Sequence, residues 1–227
     1  MRVIWWAAIA AGASYCLAAW CGWSGPGVIA WKGAGVALLA LWAASRAASA
    51  DGWLIAAVMA LGAVGDVLLD AVGMAAGAAA FLAGHVVAIL LYLRNRRATL
   101  TPSQRALGLL VAPLTVAITV AFTLSSGQAV TVAVYAIVLG IMAATAWTSR
   151  FPRYCVGLGA MLFVASDLLI FSRAGPLAGS FVPTLLVWPL YFAGQALIAG
   201  GVVGTLKADR ESTDPFGSSE VENPCRV

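Results

Sequence analysis

Residues 52–70 read GWLIAAVMALGAVGDVLLD, nineteen residues with only two charges, Asp66 and Asp70. As a helix rising 1.5 Å per residue, this run is about 28 Å long, close to the roughly 30 Å hydrocarbon thickness of a bilayer. The stretch therefore reads as a transmembrane helix. It also poses a question, because it carries two acids four residues apart, a spacing that puts them on one helical face.

The rest of the chain repeats the pattern. Of 227 residues, 62% are hydrophobic and 10% charged, with a mean hydropathy of +0.95. A soluble domain is about a quarter charged. The spacing predicts eight helices, at about 3–23, 27–45, 52–70, 73–93, 105–124, 129–149, 154–172 and 182–206. The expected fold is an all-α, polytopic membrane helical bundle, with residues 1–206 as one domain. The opening run is too long for the apolar core of a signal peptide and is rich in tryptophan, so it reads as a first span. The polar segment 207–227, KADRESTDPFGSSEVENPCRV, reads as a disordered tail.

Charge in the loops supports the count. Eight spans put both termini on one side, together with Arg2, Arg46, Arg94, Arg96, Arg97, Arg105, Arg150, Arg153, Lys207 and Arg210. The other side holds only Lys32 and Arg173. This asymmetry predicts cytoplasmic termini. It also accounts for the net charge of +4 without nucleic acid, since the basic residues lie in the breaks between spans. The Arg-over-Lys, Ala-rich composition suggests a bacterial cytoplasmic (inner) membrane.

No P-loop, GxGxxG, GxSxG or HExxH occurs. The four cysteines lack CxxC spacing, and one histidine without ligand spacing makes no metal site, so neither metal nor cofactor is expected. Small residues recur four apart, as at Gly73/Gly77 and Gly200/Gly204, a spacing that lets helices approach closely in lipid. Pro113 and Pro189 fall inside spans.

Chemistry must then come from polar residues inside the bundle. These are Asp66, His85, Asp167, Tyr191 and Gln195, with Lys32 near a span start. From the helical rise, Asp66 lies about 21 Å and Asp167 about 20 Å up their spans, at nearly one level. On the same count Tyr191 lies about 14 Å, His85 about 18 Å and Gln195 about 20 Å below the outer face. Together they are expected to line a polar shaft opening outward, with Asp66 and Asp167 as partners. Asp70, last in its span, is expected to be solvated in the interface. Buried acids near each other can hold different protonation states, which suits acid/base catalysis and equally a proton-coupled transporter. Structural alternatives stay open. The aspartates can cap or pair with Lys32 or Arg173, His85 can be an interior hydrogen-bonder, Gln195 interhelical glue and Tyr191 plain packing.

In order along the chain stand Lys32; Gly65, Asp66 and Leu69; Phe81 and His85; Ser166 and Asp167; then Tyr191, Phe192 and Gln195. This series resembles the YhhN-like family of membrane proteins, whose animal members include lysoplasmalogenase. The family pattern is a Lys-Pro pair, Gly-Asp-x-x-Leu, Phe-x-x-x-His, Ser-Asp, and an aromatic pair followed by x-x-Gln. The likeness covers about residues 30 to 205. Gly33 replaces the usual proline, Ala88 a common tyrosine, and Phe192 the second tyrosine of the pair. The resemblance implies hydrolysis of the vinyl ether bond of a lysoplasmalogen taken from the bilayer. On that reading Asp66 and Asp167 are catalytic, while Lys32, His85, Tyr191 and Gln195 bind substrate or water. The alternative is a small-molecule or lipid transporter using the same acids, for which the aspartates in spans three and seven hint at a 4+4 repeat.

Overall fold

The computed structural model describes residues 2–127 and 129–213. It is all helical, and among the described residues eight helical segments are long and apolar enough to cross a membrane, the seventh only when its α-helix is taken with the π-helical turn before it, as Arg153–Ser172. Their α-helices are α1 (Arg2–Cys21), α2 (Pro26–Ala44), α3 (Ala50–Ala71), α4 (Met74–Arg94), α5 (Pro102–Thr123), α6 (Ala129–Thr148), α7 (Leu158–Ser172) and α8 (Val182–Thr213). Large apolar side chains such as Val3, Leu109 and Val130 stay exposed on the outside, as a lipid-facing surface requires.

Local chemistry sets the helix ends. Thr101 and Gln104 form a capping box at the start of α5, with Pro102 in its first turn. The Ser49 hydroxyl accepts from the Gly52 amide at the start of α3, where Asp51 also favours the positive end of the helix dipole. Gly73, between α3 and α4, adopts φ 133°, so it serves the turn rather than helix packing. Its neighbour Gly77 does pack: a Cβ there would lie 2.8 Å from Leu69. A short π-helical turn, Arg153–Gly157, leads into α7.

Helices α2, α3 and α4 pack side by side, α4 meets α6, and α5 lies along α6. Helix α8 touches α1, α2, α3 and α7, and so forms the central post. Its contact with α7 is backbone to backbone, since a Cβ on Gly194 would lie 2.6 Å from the Gly159 carbonyl oxygen. Pro189 cannot donate to the carbonyl of Leu185; the Trp20 indole N–H of α1 donates there instead, at 3.0 Å. The contact between α2 and α3 is extensive, while that between α6 and α7 is slight. A 4+4 repeat would make these two equivalent, so the packing does not carry the hint.

Near the start of α1, Trp5 packs on Gly200, in the second half of α8. This end is also rich in arginine and is tied by polar contacts. Asp51 accepts from Arg94 at 2.9 Å and from Asn95 at 2.8 Å; Asn95 accepts from Arg150 at 2.7 Å; Arg150 pairs with Asp209 at 2.8 Å. Helix α8 therefore continues past residue 206, where a disordered tail was expected, to Thr213, with Lys207 and Glu211 paired one turn apart. The remainder of that tail lies outside the described residues.

Candidate active site

Asp66 and Asp167 each stand five residues before the end of their helix, α3 at Ala71 and α7 at Ser172. Both are buried, 2% and 6% exposed. A carboxyl removed from water needs partners, and each has a tyrosine. The Tyr191 hydroxyl donates to Asp66 Oδ2 at 2.8 Å, and the Tyr135 hydroxyl donates to Asp167 Oδ2 at 2.8 Å. The two acids thus share a tier without being hydrogen-bonded to each other.

Each tyrosine is held in turn. Gln195 Nε2, one turn along α8, donates to the Tyr191 oxygen at 3.3 Å. His85 Nε2 lies 3.2 Å from the Tyr135 oxygen. A tyrosine hydroxyl has one proton. With that proton on the bond to Asp167, His85 donates through Nε2–H; with Asp167 protonated and donating, Tyr135 can donate to His85. The line Asp167–Tyr135–His85 can therefore pass a proton in either direction.

Aromatic rings join the two arms. Phe163 sits 5.1 Å from Tyr191 and 4.9 Å from His85, ring centre to ring centre. Phe81 packs edge-on against both Phe163 and Tyr191. The small residues are there to admit these rings. A Cβ on Gly65 would meet the Phe81 ring at 2.9 Å, and one on Gly62 would meet Gln195 Nε2 at 2.8 Å. Ser166 turns away from the acids and donates to the Val187 carbonyl at 2.9 Å, fastening α7 to α8.

Four expectations change. Tyr135 was not among the sequence candidates; its only signal is a lone tyrosine in the mostly apolar run AVTVAVYAIVLG, about two turns into α6. Asp70 is not simply solvated: it pairs with Lys32 Nζ at 2.9 Å and is 37% exposed. Lys32, itself buried, is therefore held by the more exposed Asp70 and hydrogen-bonds to neither arm. Finally, the cavity beside His85 and Gln195 is mostly apolar in its lining and runs along α4 towards Tyr92 and the arginine-rich end, and neither aspartate lines it. Phe192 is a packing residue, stacked on Trp188 and filling the space over Gly12. Beside the acid tier, between α2 and α3, lies an apolar groove of about 410 Å³, lined by Gly33, Ala34, Ala37, Ala63, Val67 and Leu68.

Fold and site together define a polytopic membrane protein with two buried carboxyls, each tied to a tyrosine, inside its bundle. The chain matches the YhhN family over residues 28–202, more than half its length, and belongs to that family. No curated protein and no solved structure was found to match it.

Proposed function

We propose that this protein is an intramembrane ether hydrolase of the bacterial cytoplasmic membrane. It would cleave the vinyl ether bond of lysoplasmalogens, single-chain lipids taken directly from the bilayer. One observation carries the reading. Two acids are buried in a membrane bundle with tyrosine hydroxyls as partners and no cation within ion-pair distance among the described residues.

The chemistry needs two carboxyls in different states. A protonated carboxyl gives its proton to the vinyl carbon β to the ether oxygen, and the double-bond electrons form the new C–H bond. The α carbon and oxygen are left as an oxocarbenium ion. An ionised carboxylate stabilises that cation, a fixed charge in a water-poor site being far more effective than one in water. Water then adds to the α carbon and loses its proton to a carboxylate. The resulting hemiacetal collapses: its hydroxyl proton leaves, the C–O bond to the glycerol oxygen breaks and that oxygen takes a proton from a carboxyl, releasing a fatty aldehyde and the glycerophospho-base. Asp66 and Asp167 take the acid and anion roles. Tyr191, Gln195 and His85, together with Tyr135, hold the carboxyls and orient the ether oxygen and water.

The substrate fits the surroundings. The groove between α2 and α3 adjoins Ala63 and Val67, neighbours of Asp66, and suits a hydrocarbon chain. Lys32, oriented by Asp70 at the rim, offers a cation to the phosphodiester. The test is aldehyde release from a lysoplasmalogen by purified protein, compared with Asp66→Asn and Asp167→Asn. Release by the wild type that is lost in both variants supports the proposal; no release by folded wild type sinks it.

A further inference from the structure

On the arginine-rich side of the acids, residues of α3, α4, α6, α7 and α8 line a chamber of about 20 Å³. Its polar lining is His85, Gln195 and Tyr92; Ala88, Met142 and Phe163 supply apolar wall. His85, Ala88 and Tyr92 stand at i, i+3 and i+7 on one face of α4, so the chamber descends that face for about 10 Å.

Tyr92 is the informative residue. It is 1% exposed, and its hydroxyl has no hydrogen-bond partner in the protein among the described residues. A buried hydroxyl without a partner is costly and uncommon. A space needs about 10–15 Å³ and two to four polar partners to hold a water molecule. This chamber has room for about one or two waters, and His85, Gln195 and Tyr92 are among the residues that line it.

The other two polar walls lead to the acids. Gln195 is the far end of the arm through Tyr191 to Asp66, and His85 that of the arm through Tyr135 to Asp167. The hydrogen bonds within the protein leave the arms separate; a molecule bonded to both Gln195 and His85 makes them one network.

We propose that this chamber is a resident water site, with Tyr92 as a positioning residue. It links the Asp66 and Asp167 arms and supplies the water consumed in hydrolysis. The supply role rests on the hydrolase reading given above, but the site itself does not. Lipid then reaches the acids from the α2–α3 groove, and water from the opposite, arginine-rich side.

X-ray radiolytic footprinting of the full-length protein in nanodiscs, in ¹⁸O-labelled water, tests the site without reference to activity. Bound water yields hydroxyl radicals in place, so side chains lining a wet chamber are labelled although buried. Met142 and Tyr92 should take up label, while Met59, as deeply buried but not lining the chamber, should not. Ala88→Leu fills the chamber and should abolish labelling of Met142. Tyr92→Phe should cut aldehyde release about tenfold through kcat, with KM little changed.

Unlabelled Met142 in the wild type, or labelling unaltered by Ala88→Leu, overturns the water site. So does a rise in Tm on Tyr92→Phe with full activity, the behaviour of a dry, unpartnered hydroxyl. The two readings fail separately: label at Met142 without any aldehyde release sinks the hydrolase and leaves the water site. Should Ala88→Leu not fold, Ala88→Val makes the same test with a smaller side chain.

Discussion

Two regions of this bundle bury or half-bury aspartates, and they treat them in opposite ways. At the arginine-rich end Asp51 accepts from Arg94 and Asn95, in a network that runs on through Arg150 to Asp209. Near the other end Asp66 and Asp167 lie deeper and meet only tyrosine hydroxyls. A paired, partly solvated acid is a fastening. An acid kept from water with no direct ion pair is expensive to maintain inside a membrane, and that expense marks a functional site. The rim pair Lys32–Asp70 lies between these extremes, a matched charge pair beside the acid tier.

The contrast can be broken by substitution. The largest effect is expected at the acid tier. Asp66→Asn and Asp167→Asn should each lower aldehyde release by about 10²–10⁴-fold, the range for loss of a general acid or base. Their Tm should hold or rise, since a buried carboxyl becomes a neutral amide. A fall in Tm comparable to the loss of activity would make these acids structural, like Asp51.

Next comes the packing that brings the arms together. Gly194→Leu drives a side chain into the Gly159 carbonyl, 2.6 Å from where its Cβ would stand. Overpacking of this kind costs about 1–3 kcal/mol or more. Thermal melting in detergent should show α7 and α8 loosened and activity lost with the fold.

Tyr135→Phe sharpens the comparison further. It leaves the ring contact with His85 and removes the hydroxyl between His85 and Asp167. A drop in kcat of about tenfold with little change in Tm is expected. An unaltered kcat would leave Tyr135 as packing alone.

The smallest effect belongs to the fastening. Asp51→Asn keeps an acceptor for Asn95 but loses charge opposite Arg94, whose side chain is half exposed. The expected cost is about 0.5–1 kcal/mol in stability, with aldehyde release unaltered. Loss of activity here would erase the distinction between the two ends.

Much of this is legible in the sequence. A backbone in lipid must satisfy its own hydrogen bonds, so runs of about twenty apolar residues become helices, and the eight runs did. Helical rise alone put Asp66 and Asp167 at one level, and each proves to stand five residues from its helix end. Depth along a helix is a one-dimensional quantity that counting residues supplies.

Rotation about the helix axis and the choice of neighbour are not. Tyr135 is a single tyrosine in a mostly apolar run, and nothing in that run says it faces α7 and His85. Asp70 and Lys32 are 38 residues apart, and only the packing of α2 on α3 makes them a pair. The extension of α8 past residue 206 depends on Arg150, from a distant loop, meeting Asp209. By itself, then, the sequence determined how many membrane-length helices the chain forms, how far along them its acids stand and which family pattern it carries, because hydropathy and helical rise are local. Only the tertiary structure decided which group each acid meets, since a hydrogen bond of 2.8 Å depends on the relative rotation and approach of two helices brought together from remote parts of the chain.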